Sequence, residues 1–270
     1  LAADHVGLGW APMPTLSAIA SVTERIRLGT LVLNNDMRNP VQLAWEASTI
    51  DRLSGGRFEL GLGAGHTPSE YDATGIERSA PGERKRRLAE SVEIIRDLLD
   101  GEAVDFEGEH YRVDRARIDP AQQERLPILV GGNGAALLAH AGRHADIVGL
   151  QGLGRTRGDG HSHEVKWSTR YLDEQITQVR VGDAVRFDDI EFNAMVQVVQ
   201  ITDDRESALA KVVERVDGLT MEDAMATPYL LIGTVEEIVL HLMTCNERWG
   251  INYFAVRELD DFEPVLRALR

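Results

Sequence analysis

The residues able to do chemistry in this chain fall at intervals, each group closing an apolar run. Asp4-His5, Asn34-Asn35-Asp36, Gly63-Ala64-Gly65-His66, Gly131-Gly132-Asn133, Gly149-Leu150-Gln151 and Arg257-Glu258 all occupy such positions. A histidine beside a carboxylate, as in Asp4-His5, changes charge near neutral pH and suits proton transfer or substrate orientation, although a loop histidine bonded to backbone reads the same. His66 is a second group of this kind, or a pocket wall, and Tyr71 is a further polar candidate. The single cysteine, Cys245, lies in the helical pattern EEIVLHLMTCNERWG and reads as a buried structural thiol, leaving neither an internal disulfide nor a cysteine zinc site. Asp159, His161, His163 and Glu164 are close in sequence, but in a polar, glycine-rich stretch they read as solvated, so no metal is expected. The basic run Arg84-Lys85-Arg86-Arg87 reads as the solvated face of a helix start.

The chain is organised around SGGRFELGLGAG, residues 54–65. Ser54-Gly55-Gly56 supplies the positive φ angles of a reversal after a helix. Phe58, Leu60 and Leu62 then alternate with Glu59, Gly61 and Gly63, so one face of the strand carries little but backbone. Two readings follow: a flat group lies against that face, or the glycines let a neighbouring element pack closely. The dinucleotide fingerprint G-x-G-x-x-G does not apply, because His66 stands where its last glycine belongs.

Strand and helix patterns alternate along the whole length. LAADH, IRLGTLVLNN, GRFELGLGAG, LPILVGGNG, DIVGLQ, IEFNAMVQVVQI and INYFAVREL read as seven strands of the kind buried in a parallel sheet. Asn39-Pro40 caps one intervening helix, and Thr234 with Glu237 forms a capping box for another. One α/β domain over residues 1–270 is expected, with a (β/α)8 TIM barrel as its form and an eighth strand ahead of Leu1, the chain opening without an initiator methionine. Residues 104–118 read as a projecting β-hairpin and residues 152–168 as a long flexible loop.

With 29 Lys and Arg against 44 Asp and Glu, the formal charge of -15 argues against nucleic acid or an anionic membrane as partner. No apolar run approaches a membrane span and no secretory leader pattern opens the chain, so a cytoplasmic protein is expected.

With Asp4-His5, TLVLNNDMRNPVQLAWEASTIDRLSGGRFELGLGAG, LPILVGGNG, and IGTVEEIVLHL before INYFAVRE, nearly the whole chain resembles the luciferase-like monooxygenase family. The likeness is strongest to its deazaflavin (coenzyme F-420)-dependent oxidoreductases. The resemblance implies a barrel whose rim binds a deazaflavin or FMN, usually in a homodimer. It also implies a non-proline cis peptide near Thr30-Leu31 or Leu31-Val32, backing the cofactor ring. By position, Asp4, Thr30, Leu31 and Asn35 would line the cofactor, as would Gly63, Ala64 and Gly65. Gly131, Gly132 and Asn133 match the turn that offers backbone N–H groups to the cofactor phosphate, and Gln151 is a further rim group. In some barrels of this family a basic residue at the place of the run Glu83-Arg84-Lys85-Arg86-Arg87 meets the cofactor tail. His5 and His66 would be the catalytic groups; in the sugar-phosphate dehydrogenase branch the second position holds glutamate, which argues against that substrate here. The activity implied is hydride transfer between coenzyme F-420 and a small organic substrate. An FMN-dependent monooxygenase fed by a separate flavin reductase is the alternative, and a non-catalytic flavin-binding protein a third reading.

Overall fold

Local chemistry sets the ends of the elements in the structure, a computed structural model that describes residues 1–156 and 163–270. Helix α1 (Pro12–Val22) starts with proline, whose absent N–H would have had no partner there anyway. Strands β1 (Leu28–Gly29) and β2 (Leu33–Asn34) flank residues 30–32. Helix α2 (Pro40–Ser54) starts where the Asn39 side chain accepts from the Val41 and Gln42 N–H groups, and ends on Gly55 in the left-handed conformation, φ 70°. Arg57 locks this corner by donating to the Ala20, Thr23, Ile26 and Ser54 carbonyls, so the end of α1 is tied to the turn after α2.

Strand β3 (Phe58–Gly63) follows, then α3 (Pro68–Thr74) and α4 (Pro81–Leu99). Strands β4 (Val104–Glu107) and β5 (Arg112–Ala116) make an antiparallel hairpin. It is held to α4 by Glu90, which accepts from the N–H groups of Glu109, His110 and Tyr111. Next come β6 (Ile128–Gly131), α5 (Ala135–His144), β7 (Ile147–Leu150), β8 (Leu153–Thr156) and β9 (His163–Val165). Helix α6 (Thr169–Gly182), β10 (Glu191–Met195), β11 (Val198–Ile201), α7 (Arg205–Arg215) and α8 (Met221–Ala226) continue the chain. Strand β12 (Leu230–Gly233), α9 (Val235–Trp249) with its Thr234–Glu237 capping box, β13 (Ile251–Ala255) and α10 (Leu259–Ala268) complete it.

Seven strands form one parallel sheet in the order β1-β3-β6-β7-β10-β13, with β2 also paired to β3 and Ala2 bridging Thr30. The sheet curls into a half-barrel, since the Tyr253 hydroxyl of β13 donates to Glu59 of β3, four strands away in the order. Phe58, Leu60 and Leu62 are fully buried in one core with Leu43 and Ala47 of α2 and Leu88, Val92 and Ile95 of α4. Each such side chain contributes roughly 1.5–3 kcal/mol. The pairings run in register from Asn34 through Gly63, Gly131 and Gly149 to Asn193 and Tyr253, which brings the glycine-rich strand ends side by side.

Three expectations change. The long strand over 190–201 is two: β10 lies in the main sheet, whereas β11 pairs with β12 in a separate two-stranded sheet. The chain changes sheet at Gln197, whose N–H donates to the Tyr229 carbonyl while the preceding Val196 N–H still donates to Ala255. β12 itself was not expected, because a four-residue apolar run ahead of a helix cap carries no period of its own. Within 152–168, β8 and β9 pair as a short antiparallel ribbon rather than a featureless loop; Asp159 and His161 lie outside the described residues.

Candidate functional site

The glycine face of β3 is filled by the chain itself. An alanine Cβ at position 61 would stand 2.9 Å from the Thr30 carbonyl carbon and overlap its oxygen, and one at position 63 would stand 2.6 Å from Val32 Cγ2. Thr30 interrupts the strand pairing and repairs it with its side chain: the hydroxyl donates to the Gly61 carbonyl (2.9 Å) and accepts from the Gly61 N–H (2.8 Å). The Leu31–Val32 peptide that follows is cis, at one of the two expected positions. Close packing therefore accounts for Gly61 and Gly63, and any ring meets the 31–32 bulge rather than β3. Thr30 is 1% exposed with its hydroxyl committed, which leaves Leu31 and Val32, both half-buried, as the surface of the bulge.

Around the bulge runs a tight polar frame. Both Asp4 oxygens are taken by Arg38 (2.6 and 3.0 Å), and one also accepts the Asn34 N–H (2.8 Å), so Asp4 braces the rim with no lone oxygen spare for a direct bidentate contact. The buried Asp36 carboxylate accepts from Tyr71 (3.1 Å) and Arg87 (2.8 Å). Burial and the Asp36 charge push the Tyr71 phenol up to about 12. Gly65, at φ +70°, leaves no room for a side chain beside Tyr71 and Asn34. Arg84, 4% exposed, donates to the Ala64 and Gly65 carbonyls. Asn35 is buried, with its amide NH2 3.4 Å from the Tyr111 hydroxyl and its Oδ1 without a hydrogen-bond partner among the described residues.

The two candidate histidines meet on this frame. His5 Nδ1 lies 2.7 Å from Glu70 Oε1, and Glu70 is nearly buried while the His5 side chain is 41% exposed. The His5 and His66 rings are edge to face at 6.2 Å, and His66 and His163 at 4.4 Å. Burial, then His163, His5 and two arginines, pull His66 down to about 4, so its imidazole is uncharged at neutral pH. The result is an uncharged imidazole beside a second one that a carboxylate orients.

One strand over, β6 delivers Gly131 and Gly132 to the start of α5, in register with Gly63. Gly134 has φ +104°, and a Cβ there would lie 2.9 Å from Lys85 Nζ; the first turn of α5 has no side-chain cap. The first-turn N–H groups of α5, without a side-chain cap among the described residues, the helix dipole and an ammonium thus converge on one turn, an arrangement suited to an anion. Burial, Arg84 and Lys166 hold the Lys85 ammonium below its usual range, and a bound anion would relieve that crowding. Asn133 Oδ1 accepts from Gln175 (2.8 Å), which turns this side chain toward α6. Gln151 Nε2 lies 3.2 Å from where a Gly131 Cβ would be, so Gln151 reaches the row of glycines.

Glu70 is a site group that the sequence does not point to. It is four residues past His66, in the first turn of α3, but nothing local ties it to a residue 65 positions earlier. The basic run divides: Arg86 is exposed, as a solvated face requires, whereas Arg84 is buried and Lys85 faces the Gly134 turn. Arg84 shares the inward stripe of Leu88, Val92 and Ile95, and that spacing was the available signal.

A sequence model of a family described as luciferase-like monooxygenase matches residues 1–253. A protein named F-420-dependent glucose-6-phosphate dehydrogenase from Nakamurella multipartita is 39% identical over 137 residues, 50% of this chain and 40% of that protein. Its namesake from Mycobacterium avium is 36% identical over 195 residues, 69% of this chain and 54% of that one. The chain thus spans about half the length of the curated relatives it matches. The structure of a coenzyme F-420-dependent tetrahydromethanopterin reductase from Methanopyrus kandleri aligns with TM-score 0.71 over 97% of this chain and 86% of that one. At 20% identity that likeness concerns the fold.

Proposed function

The chain belongs to the luciferase-like monooxygenase family, and from that premise we propose that it is an oxidoreductase moving a hydride between coenzyme F-420 and a small organic substrate. The observation that carries the reading is the Gly131–Gly134 turn with Lys85 against it, at the same strand ends as the 31–32 bulge and the His5–Glu70 pair. The names of the relatives support the choice of cofactor. A closed eight-stranded barrel belongs to the same proposal, with the remaining strand between the sheet edges at Ala2 and β13, as do a single domain and a homodimer.

The residues present fit the cofactor. The turn and α5 would take its phosphate, with Lys85 as counter-charge, and the Leu31–Val32 bulge would back its ring, with Ala64 and Gly65 beyond the end of β3. When bound, the deazaflavin supplies the hydride chemistry. The protein's task is then position and proton control. With Nδ1 held by Glu70, His5 offers Nε2 to the substrate and carries a proton there on or off a hydroxyl or carbonyl oxygen. His66, uncharged at neutral pH, donates or accepts a hydrogen bond at the same oxygen without adding a charge. Because His66 replaces the glutamate of the sugar-phosphate dehydrogenase branch, the substrate is a small alcohol or carbonyl compound rather than a sugar phosphate.

Equilibrium titrations with F-420 and with FMN, read by fluorescence, test the reading. Tight F-420 binding with weak FMN binding is expected. Preference for FMN, or no binding of F-420 in either redox state, overturns it.

A further inference from the structure

Away from the strand ends, α4 and α5 pack side by side and gather a second group of titratable residues. His140 and His144 stand one turn apart on α5, with rings 4.4 Å apart and nearly parallel, and Glu93 faces them from α4. Glu93 Oε1 is 3.7 Å from His140 Nδ1 and 3.9 Å from His144 Nε2, and the three ligand atoms lie within 4.8 Å of one another. These separations are too long for hydrogen bonds. Metal–ligand bonds of about 2.0–2.2 Å in a tetrahedron set neighbouring ligand atoms about 3.4 Å apart, so closing this group on one ion takes an approach of up to about 1.4 Å together with rotation of the stacked rings.

The surroundings suit a cation. His140 is nearly buried, and its Nε2 has no hydrogen-bond partner among the described residues. Asp97 and Arg143 are other charged groups near Glu93. Glu90 adds to the negative side. A carboxylate and two imidazoles thus share one end of the α4–α5 seam, and rotation of the stacked His140 and His144 rings about χ2 would bring their lone pairs to one point.

We propose that Glu93, His140 and His144 form a three-ligand site for one divalent transition metal ion of the zinc class, clamping α4 to α5 and remote from the hydride-transfer site. Two imidazoles and one carboxylate favour Zn2+, Cu2+ or Ni2+ over Mg2+ or Ca2+. The fourth position faces water beside the half-exposed His144 and Glu93.

The test is calorimetric titration of the chelator-treated full chain with ZnCl2, alongside thermal unfolding with and without the metal. One equivalent is expected, with Kd on the order of 1 µM, and a higher Tm with Zn2+ but not with Mg2+. His144→Ala and Glu93→Gln, at half-exposed positions that leave the buried His140 in place, each weaken binding at least about tenfold. A His5→Gln/His66→Gln variant binds Zn2+ as the parent does. Absence of binding at 100-fold higher Zn2+ than about 1 µM, unchanged affinity in both α4–α5 variants, or loss in the His5/His66 variant each overturns the proposal.

Discussion

Gly61→Ala tests the claim that the 30–32 bulge, rather than a ligand, occupies the glycine face of β3. The new methyl would overlap the carbonyl oxygen of Thr30 and stand 3.3 Å from Val32 Cγ1. That oxygen has little freedom, because the Thr30 hydroxyl is bonded to both Gly61 backbone groups and the next N–H, of Leu31, donates to Ala2 (2.9 Å). Relief requires the segment to move by about 1 Å in a close-packed interior. The movement breaks the 2.9 and 2.8 Å bonds of Thr30. Two net hydrogen bonds at ~1 kcal/mol each, plus buried groups left unpaired, sum to about 3–5 kcal/mol. Urea unfolding at constant m reads the loss, and Tm should fall by roughly 10 °C. Gly82→Ala is the contrast: the built Cβ meets nothing closer than Arg86 at 3.7 Å, and helix α4 gains a better helix former. It should raise stability by up to ~0.5 kcal/mol. If Gly61→Ala stays within about 1 kcal/mol of the parent protein, the packing account is refuted.

His66 sets an acid-side slope. With its folded value about 4 against 6.5, the native state holds fewer protons than the unfolded state between those limits. Stability should therefore fall as pH drops through that window and be unaffected above it. His66→Gln should flatten the Tm profile there by up to about one proton, with His140 sustaining the remainder; parallel profiles would refute the uncharged, buried imidazole. Thr234→Ala removes the capping box of α9, in which the Thr234 N–H donates to Glu237 (2.8 Å) and the Glu237 N–H to Thr234 (3.2 Å). It should cost ~1 kcal/mol in urea unfolding and leave cofactor affinity alone. Lys85→Met should weaken F-420 binding about tenfold and reduce its salt dependence, and a change below about threefold would take Lys85 out of the phosphate site.

The sequence by itself determined what near neighbours control. Asn39-Pro40, the Ser54-Gly55-Gly56 corner and the Thr234–Glu237 box were legible because a cap or turn is decided within a few residues. The run of β3, β6 and β7 as buried parallel strands followed from their apolar continuity, and the family pattern from the ordered set of strand ends. Tertiary structure decided what depends on which strands lie side by side. Only the pairing of residues 28–34 with β3 shows that Gly61 and Gly63 make room for Thr30 and Val32. Glu70 reaches His5 across 65 positions, and Glu93 meets His140 and His144 across two helices. The split of 190–201 has the same origin, because an apolar strand reads alike whichever sheet receives it, and the receiving strand β12 carried no period of its own.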